Sequence, residues 1–524
     1  MTDLEAGPRL TRVWKNFGLP ALGLTTTVGL WWLITAAFNV DPFFVPSPGD
    51  VTNAFLRVPS YLLEESWITL KRVLIGFLIA VAGGLTLAVV LAASHTVERM
   101  FLPVLAAVNA VPKVALAPLL LVWMGFGDSP KIVMVVLVSF FPVIVSTMAG
   151  LTSAPADLRE LARSLRASWW QTFVKVRLVW ALPQVFVGIK VATPAGDHRR
   201  RHRRGGQPRS RPRLGHRRIG RLQRHSARLR RPGPARHHGR RPVLPDGRRR
   251  ATARALGPGH QLLRKHMITI DGVSQTFKGR SGPIEAIRGI DLEIAEGEFL
   301  TIIGRSGCGK STLLRMVSGL LKPTKGEVRV AGERVRSPRR DVAMVFQKPA
   351  LLPWRTVEQN IMLPVEIFGW RTADHRGRAE QLLEMTGLGA FRKRLPHELS
   401  GGMQQRVSLC RALIQNPKVM LMDEPFSALD ALTREELAVE LQRIHIQLGT
   451  TILFVTHSIQ EAVLLADRVA VLSSRPGRVR KLVQIPIPRP RSFGHNAHME
   501  EVAKVSAELH TLLLSDEHLR APTA

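Results

Sequence analysis

Gly304-Arg-Ser-Gly-Cys-Gly-Lys-Ser-Thr312 fits the pattern G-x-x-x-x-G-K-[ST] of a phosphate-binding loop. Each residue type in it has a chemical reason. Gly304, Gly307 and Gly309 let the backbone N–H groups of the loop, those of Arg305, Ser306 and Cys308 among them, turn inward around a phosphate. Lys310 reaches toward the β- and γ-phosphates, Ser311 offers a hydroxyl to Mg²⁺ with Thr312 beside it, and the helix that follows points its positive end at the anion. The flanks agree. Glu298-Phe-Leu-Thr-Ile-Ile303 is an apolar strand-type run, and Leu313-Leu-Arg-Met-Val-Ser-Gly319 reads as a helix.

Further stretches follow in a fixed order. Met344-Val-Phe-Gln347 precedes Pro349-Ala-Leu-Leu-Pro-Trp354, and Leu399-Ser-Gly-Gly-Met-Gln-Gln-Arg406 opens a helix at Ser400, where the Gly401 and Gly402 amides are free to hold a γ-phosphate. Val419-Met-Leu-Met-Asp-Glu-Pro425 is an apolar strand ending in two acids, followed by Ser427-Ala-Leu-Asp430 and by Leu453-Phe-Val-Thr-His457. Singly, a loop glutamine, an acid pair at a strand end or an isolated histidine is an ordinary structural feature. Together, Met267–Pro488 resembles the ABC ATPase family.

The resemblance implies a P-loop α/β fold, the cofactors ATP and Mg²⁺, and a role for each motif. Phe277, where the family more often has Tyr, would stack the adenine. Gln347 would reach Mg²⁺ and the attacking water, Asp423 would hold Mg²⁺ through water, and Glu424 would act as general base with His457 as its switch partner. Catalytic residues are thus Glu424, His457 and Gln347, and metal residues Ser311, Gln347 and Asp423. Ser400, Gly401, Gly402 and Gln404 would face the ATP of a second copy in a head-to-tail dimer, with Asp430 in the D-loop between them.

The N-terminal part has a different solvent. Phe17–Val40 carries no charge and is long enough to cross a bilayer, which takes ~20 apolar residues. Val73–Ser94 and Ile132–Leu151 meet the same test, as does Phe101–Gly127 apart from Lys113, which sits beside Pro112 and marks a break or an interfacial position, and Leu182–Ala195 begins a fifth run. The first run is too long for a cleavable secretory signal. Arg9, Arg12 and Lys15 favour an internal N-terminus, which after four spans places the basic loop holding Arg159, Arg163, Arg166, Lys175 and Arg177 in the cytosol. Within that loop Glu160-Leu-Ala-Arg-Ser-Leu-Arg-Ala-Ser168 and Val176–Pro183 resemble the EAA loop of bacterial ABC-importer permeases. The resemblance implies a short coupling helix, with Glu160, Ala162 and Ala167 in it, that docks in a groove on the ATPase. Arg166 stands where the family usually has Gly, and Val179 where it often has Pro. Pro46-Ser-Pro48, Pro118–Gly125 and Leu472–Arg478 are similar to the nitrate/sulfonate/taurine branch.

Between these parts the composition breaks. Gly196–His266 holds 23 Arg and one Lys against two Asp and no Glu, so +22 of the chain's +34 lies there. Arginine costs roughly 2.5–3.5 kcal/mol at a helix centre in a membrane, and the stretch has no Phe, Trp or Tyr to build a core. It reads as a disordered polycation. It is open to three explanations: an arm for nucleic acid or anionic lipid, a linker, or a shifted reading frame in a G/C-rich gene that runs on into a second one at Met267. An arm lacks stacking aromatics here, and a linker rarely carries +22. Codons for Ala, Val, Gly and Leu read one base out become largely Arg, Pro, Gly and His, so the last is preferred. The expected division is 1–195 permease, 196–266 basic stretch and 267–524 ATPase. Two cysteines, Cys308 and Cys410, make no disulfide framework and suit a cytosolic face.

The expected function is that of an importer of a small anion or organic solute in the inner membrane. Its partners would be a second copy, a periplasmic solute-binding protein and the lipid bilayer, with no specific nucleic acid. An ABC ATPase that uses the basic arm on nucleic acid is the alternative; the apolar runs before Leu151 argue against it.

Overall fold

The computed structural model describes residues 18–38, 41–93, 95–193, 266–279, 282–491 and 498–514. Arg9, Arg12, Lys15 and the stretch 196–265, with the frame-shift expectation it carries, lie outside the described residues. The N-terminal part is all helical. In chain order come α1 (Leu19–Ala37), α2 (Pro48–Arg57), α3 (Pro59–Ala93), α4 (His95–Ala110), α5 (Ala117–Met124), α6 (Asp128–Thr152), α7 (Ala156–Ser164) and α8 (Trp169–Ala192). Among the described residues, α1, α3, α6 and α8 are long and apolar enough to cross a membrane.

Small residues set the packing of these helices. Gly76, Ala80, Gly84, Ala88 and Ala92 recur every four positions on α3 and are all buried. A Cβ at Gly76 would lie 2.8 Å from the Val135 Cβ, and one at Gly84 3.0 Å from a Val143 methyl, so α3 and α6 meet nearly backbone to backbone. Lipid supplies no hydrophobic drive between helices, so such close van der Waals contact replaces it. Next to that contact on α6, Ser139 Oγ donates to the Ala192 carbonyl of α8 at 2.8 Å, out of reach of solvent.

Phe101–Gly127 is interrupted where Pro112 and Lys113 mark a break: α4 ends at Ala110, Lys113–Leu116 is a 3₁₀ turn, and α5 is only 8 residues long. Pro112 has no N–H to donate and disfavours helical geometry in the residue before it, which ends α4 at this point. The third of the four runs behind the orientation argument is thus made of two shorter helices. The last helix also begins at Trp169, well before Leu182, and passes through a π-helical stretch at Phe173–Leu178. Val179, where the resembled loop often has Pro, continues that helix unbroken.

The C-terminal part is α/β. Its strands are β1 (His266–Gly279), β2 (Gly282–Ala295), β3 (Phe299–Ile303), β4 (Lys325–Val330), β5 (Glu333–Arg334), β6 (Val342–Val345), β7 (Val419–Asp423), β8 (Thr451–Thr456), β9 (Arg468–Leu472) and β10 (Val479–Gln484). Its helices are α9 (Lys310–Val317), α10 (Val357–Ile361), α11 (Leu363–Phe368), α12 (Thr372–Met385), α13 (Gly401–Leu413), α14 (Ala431–Leu448), α15 (Ile459–Leu465) and α16 (Met499–Leu514). Strands β2-β1-β4-β5 form an antiparallel sheet; β10-β9-β3-β8-β7-β6 form a second that is parallel except for the β10 edge. Every residue of β3, β6 and β8 is buried, which is why they read as unbroken apolar runs. In register, Ile303 lies beside Thr456, and Val455 beside Asp423. The ends of β3, β8 and β7 therefore line up, and the loops that leave them converge on one edge, where open parallel sheets bind ligands.

Candidate nucleotide site and its coupling seat

The phosphate loop leaves β3 at the position the sequence predicts, and α9 begins at Lys310. Gly309 has φ +103°, and a Cβ there would lie 2.7 Å from Ile287 Cγ1 and 3.0 Å from the Ala286 carbonyl. Both conformation and space require glycine. Lys310, 5% exposed, turns inward: its Nζ donates to the Gly304 carbonyl at 2.8 Å and to Arg305 O at 3.3 Å, and sits 3.7 Å from Glu424 Oε1. Ser311 Oγ donates to Asp423 Oδ1 at 2.8 Å. Burial pushes the Asp423 carboxyl above its ordinary value, and the adjacent Glu424 adds to this against the Ser311 hydrogen bond. A hydroxyl beside two crowded carboxylates, all hard oxygen donors, is a donor set that fits Mg²⁺.

Glu424 follows β7 with φ +44°, its own N–H donating to Val455 O at 2.9 Å. That left-handed turn aims its carboxylate at His457, whose Nδ1 lies 3.3 Å from Glu424 Oε2. Gln347 Nε2 donates to Ser427 Oγ at 3.2 Å, which joins the glutamine loop to the segment leading to Asp430. Asp430 caps α14, accepting from Thr433 N at 3.0 Å. Phe277 is 40% exposed near the tip of the β1–β2 hairpin, outside the core where a lone strand-end Phe usually sits.

The signature residues are elsewhere. Ser400 caps α13 by accepting from Met403 N, and Gly402 has room for no Cβ because Thr433 Cγ2 would lie 2.4 Å away. Gln404 turns back to the carbonyls of Pro396 and Leu399 at 2.9 and 3.3 Å. Among the described residues, none of the side-chain contacts of Ser400, Gly401, Gly402 or Gln404 is with the phosphate loop of the same chain. Arg475, not singled out from the sequence, donates twice to Gly307 O, at 3.2 Å each. The Arg-Pro-Gly turn at its loop was the signal. A Cβ on the nearby Gly477 would collide with Cys308 O at 2.1 Å, so this loop presses onto the phosphate loop's own backbone.

The seat for α7 lies on the same domain. Leu158, Leu161, Ala162 and Leu165 are buried in one cluster with Ile302, Leu314 and Phe346 of the α/β part, with Ala167 packed at its margin. The period of apolar residues on α7 makes a single stripe, and that stripe is the buried one. Glu160 Oε1 meets Arg315 Nε at 2.7 Å, which links α7 to the helix that carries Lys310. Farther along, Gln171 Nε2 donates to Ile367 O at 2.9 Å, Lys175 pairs with Glu366 at 2.9 Å, and Trp180 meets Trp354 edge-on. The helix ends in paired bonds, Arg166 N–H to Arg163 O and Ala167 N–H to Ala162 O, both 2.9 Å. Such an end places its C′ residue in the left-handed region, and Arg166 has φ +52°. The position where the resembled loop usually has Gly is one where glycine is physically preferred.

Two family models match. Residues 80–196 fit the binding-protein-dependent transport system inner membrane component, and residues 287–427 fit the ABC transporter family. An ABC transporter ATP-binding protein of Methanocaldococcus jannaschii is 44% identical over 43% of this chain and 85% of its own length. A taurine import ATP-binding protein of Ruegeria pomeroyi is 41% identical over 45% and 88%, and a nitrate import ATP-binding protein of Synechocystis is 42% identical over 48% and 96%. A solved dimeric ATP-binding cassette with ADP and phosphate bound is 35% identical over 42% of this chain and 99% of its own, at a TM-score of 0.39. The chain belongs to the ABC transporter family and joins an importer-type permease segment to an ATP-hydrolysing ABC domain that works with ATP and Mg²⁺.

Proposed function

We propose that the chain couples ATP hydrolysis to uptake of a small anion or organic solute of the nitrate, sulfonate or taurine type. The observation that carries this reading is the burial of α7 in the α/β core, with the Glu160–Arg315 pair one turn from the phosphate-loop lysine. In this reading the ATPase lies on the cytoplasmic side of an inner membrane crossed by the long helices, and the packing of α7 on it supports a shared side for that loop and the ATPase. The division into 1–195, 196–266 and 267–524 belongs to the same proposal, with strand β1 starting one residue ahead of Met267.

Phosphoryl transfer asks a protein chiefly for positioning and charge stabilisation. Lys310 and the loop amides from Arg305 to Ser311, with Gly304 and Thr312 at the margins, hold the β- and γ-phosphates, and Phe277 stacks the adenine. Ser311 and Asp423, with Gln347 alongside, would hold Mg²⁺, which would supply neutralisation of phosphate charge. Glu424 takes the proton of the attacking water, and His457 keeps the carboxylate aimed. Ser400, Gly401, Gly402 and Gln404 complete the site on a second copy, with Asp430 between the two. A separate periplasmic binding protein delivers the solute. The permease part passes at Gly196 into arginine-rich sequence where the resembled permeases have further apolar helix, so the chain hydrolyses ATP and transports poorly.

The test uses the full chain in nanodiscs and proteoliposomes. E424Q is expected to lower hydrolysis by about 100-fold or more while ATP binding persists. Undiminished hydrolysis in E424Q would refute the assignment. Uptake of labelled nitrate and taurine with a solute-binding protein present tests the transport reading, and rapid uptake would overturn its last clause. Peptide mapping across Ala195–Gly196 and His266–Met267 decides whether both parts travel in one chain.

A further inference from the structure

Arg411 sits on α13, the helix opened by Ser400, and is 2% exposed. Among the described residues no carboxylate pairs with it. Its Nη1 donates to Ala350 O at 2.8 Å, its Nη2 to Pro349 O at 2.7 Å, and Nη2 also reaches Ser408 Oγ at 3.3 Å. A cation held only by carbonyl dipoles and one hydroxyl is a poor way to fill a core, because an apolar side chain of similar volume avoids the desolvation. Burial pushes the guanidinium pKa below its ordinary value, though arginine stays charged in proteins. Stability alone does not account for this residue.

Two independent observations show what it grips. Ala350 has φ +46°, a left-handed conformation that persists in a non-glycine residue only where its surroundings enforce it. The gripped segment lies three residues after Gln347. Arg411 also lines, with Ala412 and Gln415, the same narrow cleft as Leu161, Ser164 and Leu165 of α7. One residue thus sits on the signature helix, grips the glutamine-loop segment and lines a cleft shared with α7.

We propose that Arg411 is a positioning residue whose guanidinium fork clamps the Pro349–Ala350 backbone to the signature helix. A shift of α7 in its seat then moves the Gln347 segment and Ser400–Gly402 as one body. This rests on the reading of α7 as the coupling helix. Arg411 touches neither the phosphate loop nor the Glu424–His457 pair, so the clamp acts on turnover and leaves nucleotide binding alone.

The test compares R411M, R411K and L413A in the full chain in nanodiscs. Leu413 is fully buried on the same helix and serves as the stability control. R411M is expected to lower kcat for ATP about tenfold or more, with KM within about twofold. Amide exchange should quicken in 349–354 and 156–165 and stay unchanged in 304–312. R411K keeps a buried charge without the fork and should show the same kcat loss with a smaller fall in Tm, whereas L413A should lower Tm and spare kcat. Wild-type kcat in R411K would overturn the clamp, as would R411M lowering Tm while sparing kcat in the pattern of L413A. Should R411M fail to fold, R411K carries the test alone. L161D, which unseats α7, separates the two readings: unchanged exchange at 349–354 in that variant refutes the coupling role of α7, whatever the R411K result.

Discussion

Replacing Arg166 with glycine should tighten the end of the coupling helix. Arg166 is the C′ residue of α7, with φ +52° and two 2.9 Å bonds closing around it. A left-handed conformation costs an L-residue about 1–2 kcal/mol. Against this, glycine's extra freedom in the unfolded chain costs about 0.4–1 kcal/mol. The net gain for R166G is about 0.5–1 kcal/mol, or roughly a 2–5-fold shift in the local opening equilibrium. A second effect has the same sign. Arg166 shares a cleft with Arg334, Arg336, Arg339 and Arg340 against only Glu333 and Asp341, so removing its charge relieves repulsion at low salt. R166A separates the two, because alanine loses the charge and keeps the backbone cost. The assay is amide exchange of peptides covering 156–168 in the full chain in nanodiscs, at low and high salt. R166G should exchange about 2–5-fold more slowly than R166A at both salts. Equal exchange in the two variants would refute the backbone reasoning, and a salt-independent gain in R166A would refute the charge reasoning.

Three further outcomes are expected. G309A forces a Cβ to 2.7 Å from Ile287 Cγ1 at φ +103°; ATP binding should weaken by about tenfold or more, with a destabilisation of about 1–3 kcal/mol in denaturant melts. Burial pushes the Glu366 carboxyl up, but hydrogen bonds from Arg355 and Lys175 outweigh it and hold it below its ordinary 4.5. Its contribution to docking is therefore fully present above pH 4.5 and lost as pH falls through the lower folded value. Exchange in 169–180 should be flat from pH 8 to 5 after correction for intrinsic rates, and E366Q should remove any rise below that. Burial raises the Cys410 thiol to about 12, and Cys308 is also buried; neither should react with an aromatic disulfide reagent at pH 7 until the chain is unfolded, and rapid native labelling would contradict the packing.

Much of the ATPase was legible because its chemistry is local. Strands β3, β7 and β8 are buried on both faces, so their apolar runs mark them directly, and each ends in the residue type its loop needs: glycine, paired acids, histidine. Gly309 is required by a backbone angle, which a motif encodes. The membrane helices were less legible at their ends. Pro112 beside Lys113 marked the break in Phe101–Gly127, but hydropathy measures composition over a window and left the lengths of the two helices open. The start of α8 at Trp169 was missed because its first turns carry two cations and read as loop; Lys175 faces Glu366 of the ATPase, and Arg177 donates to the Leu151 carbonyl of α6. Glu366 and Arg411 left no pattern of their own, since each acts on a carbonyl or charge distant in the chain.

By itself the sequence determined the phosphate loop, its acid pair and switch histidine, the permease-like loop at Glu160–Ser168, and the break in composition at Gly196. These follow from short-range chemistry: a backbone angle, a strand period, a charge density. Only the tertiary structure decided that Glu160 meets Arg315, that Ser311 and Asp423 share a hydrogen bond, and that Arg411 holds the glutamine-loop segment to the signature helix. Those contacts bring together residues that are far apart along the chain. They depend on sheet register and on the fit of one helix stripe against another surface, which no local pattern specifies.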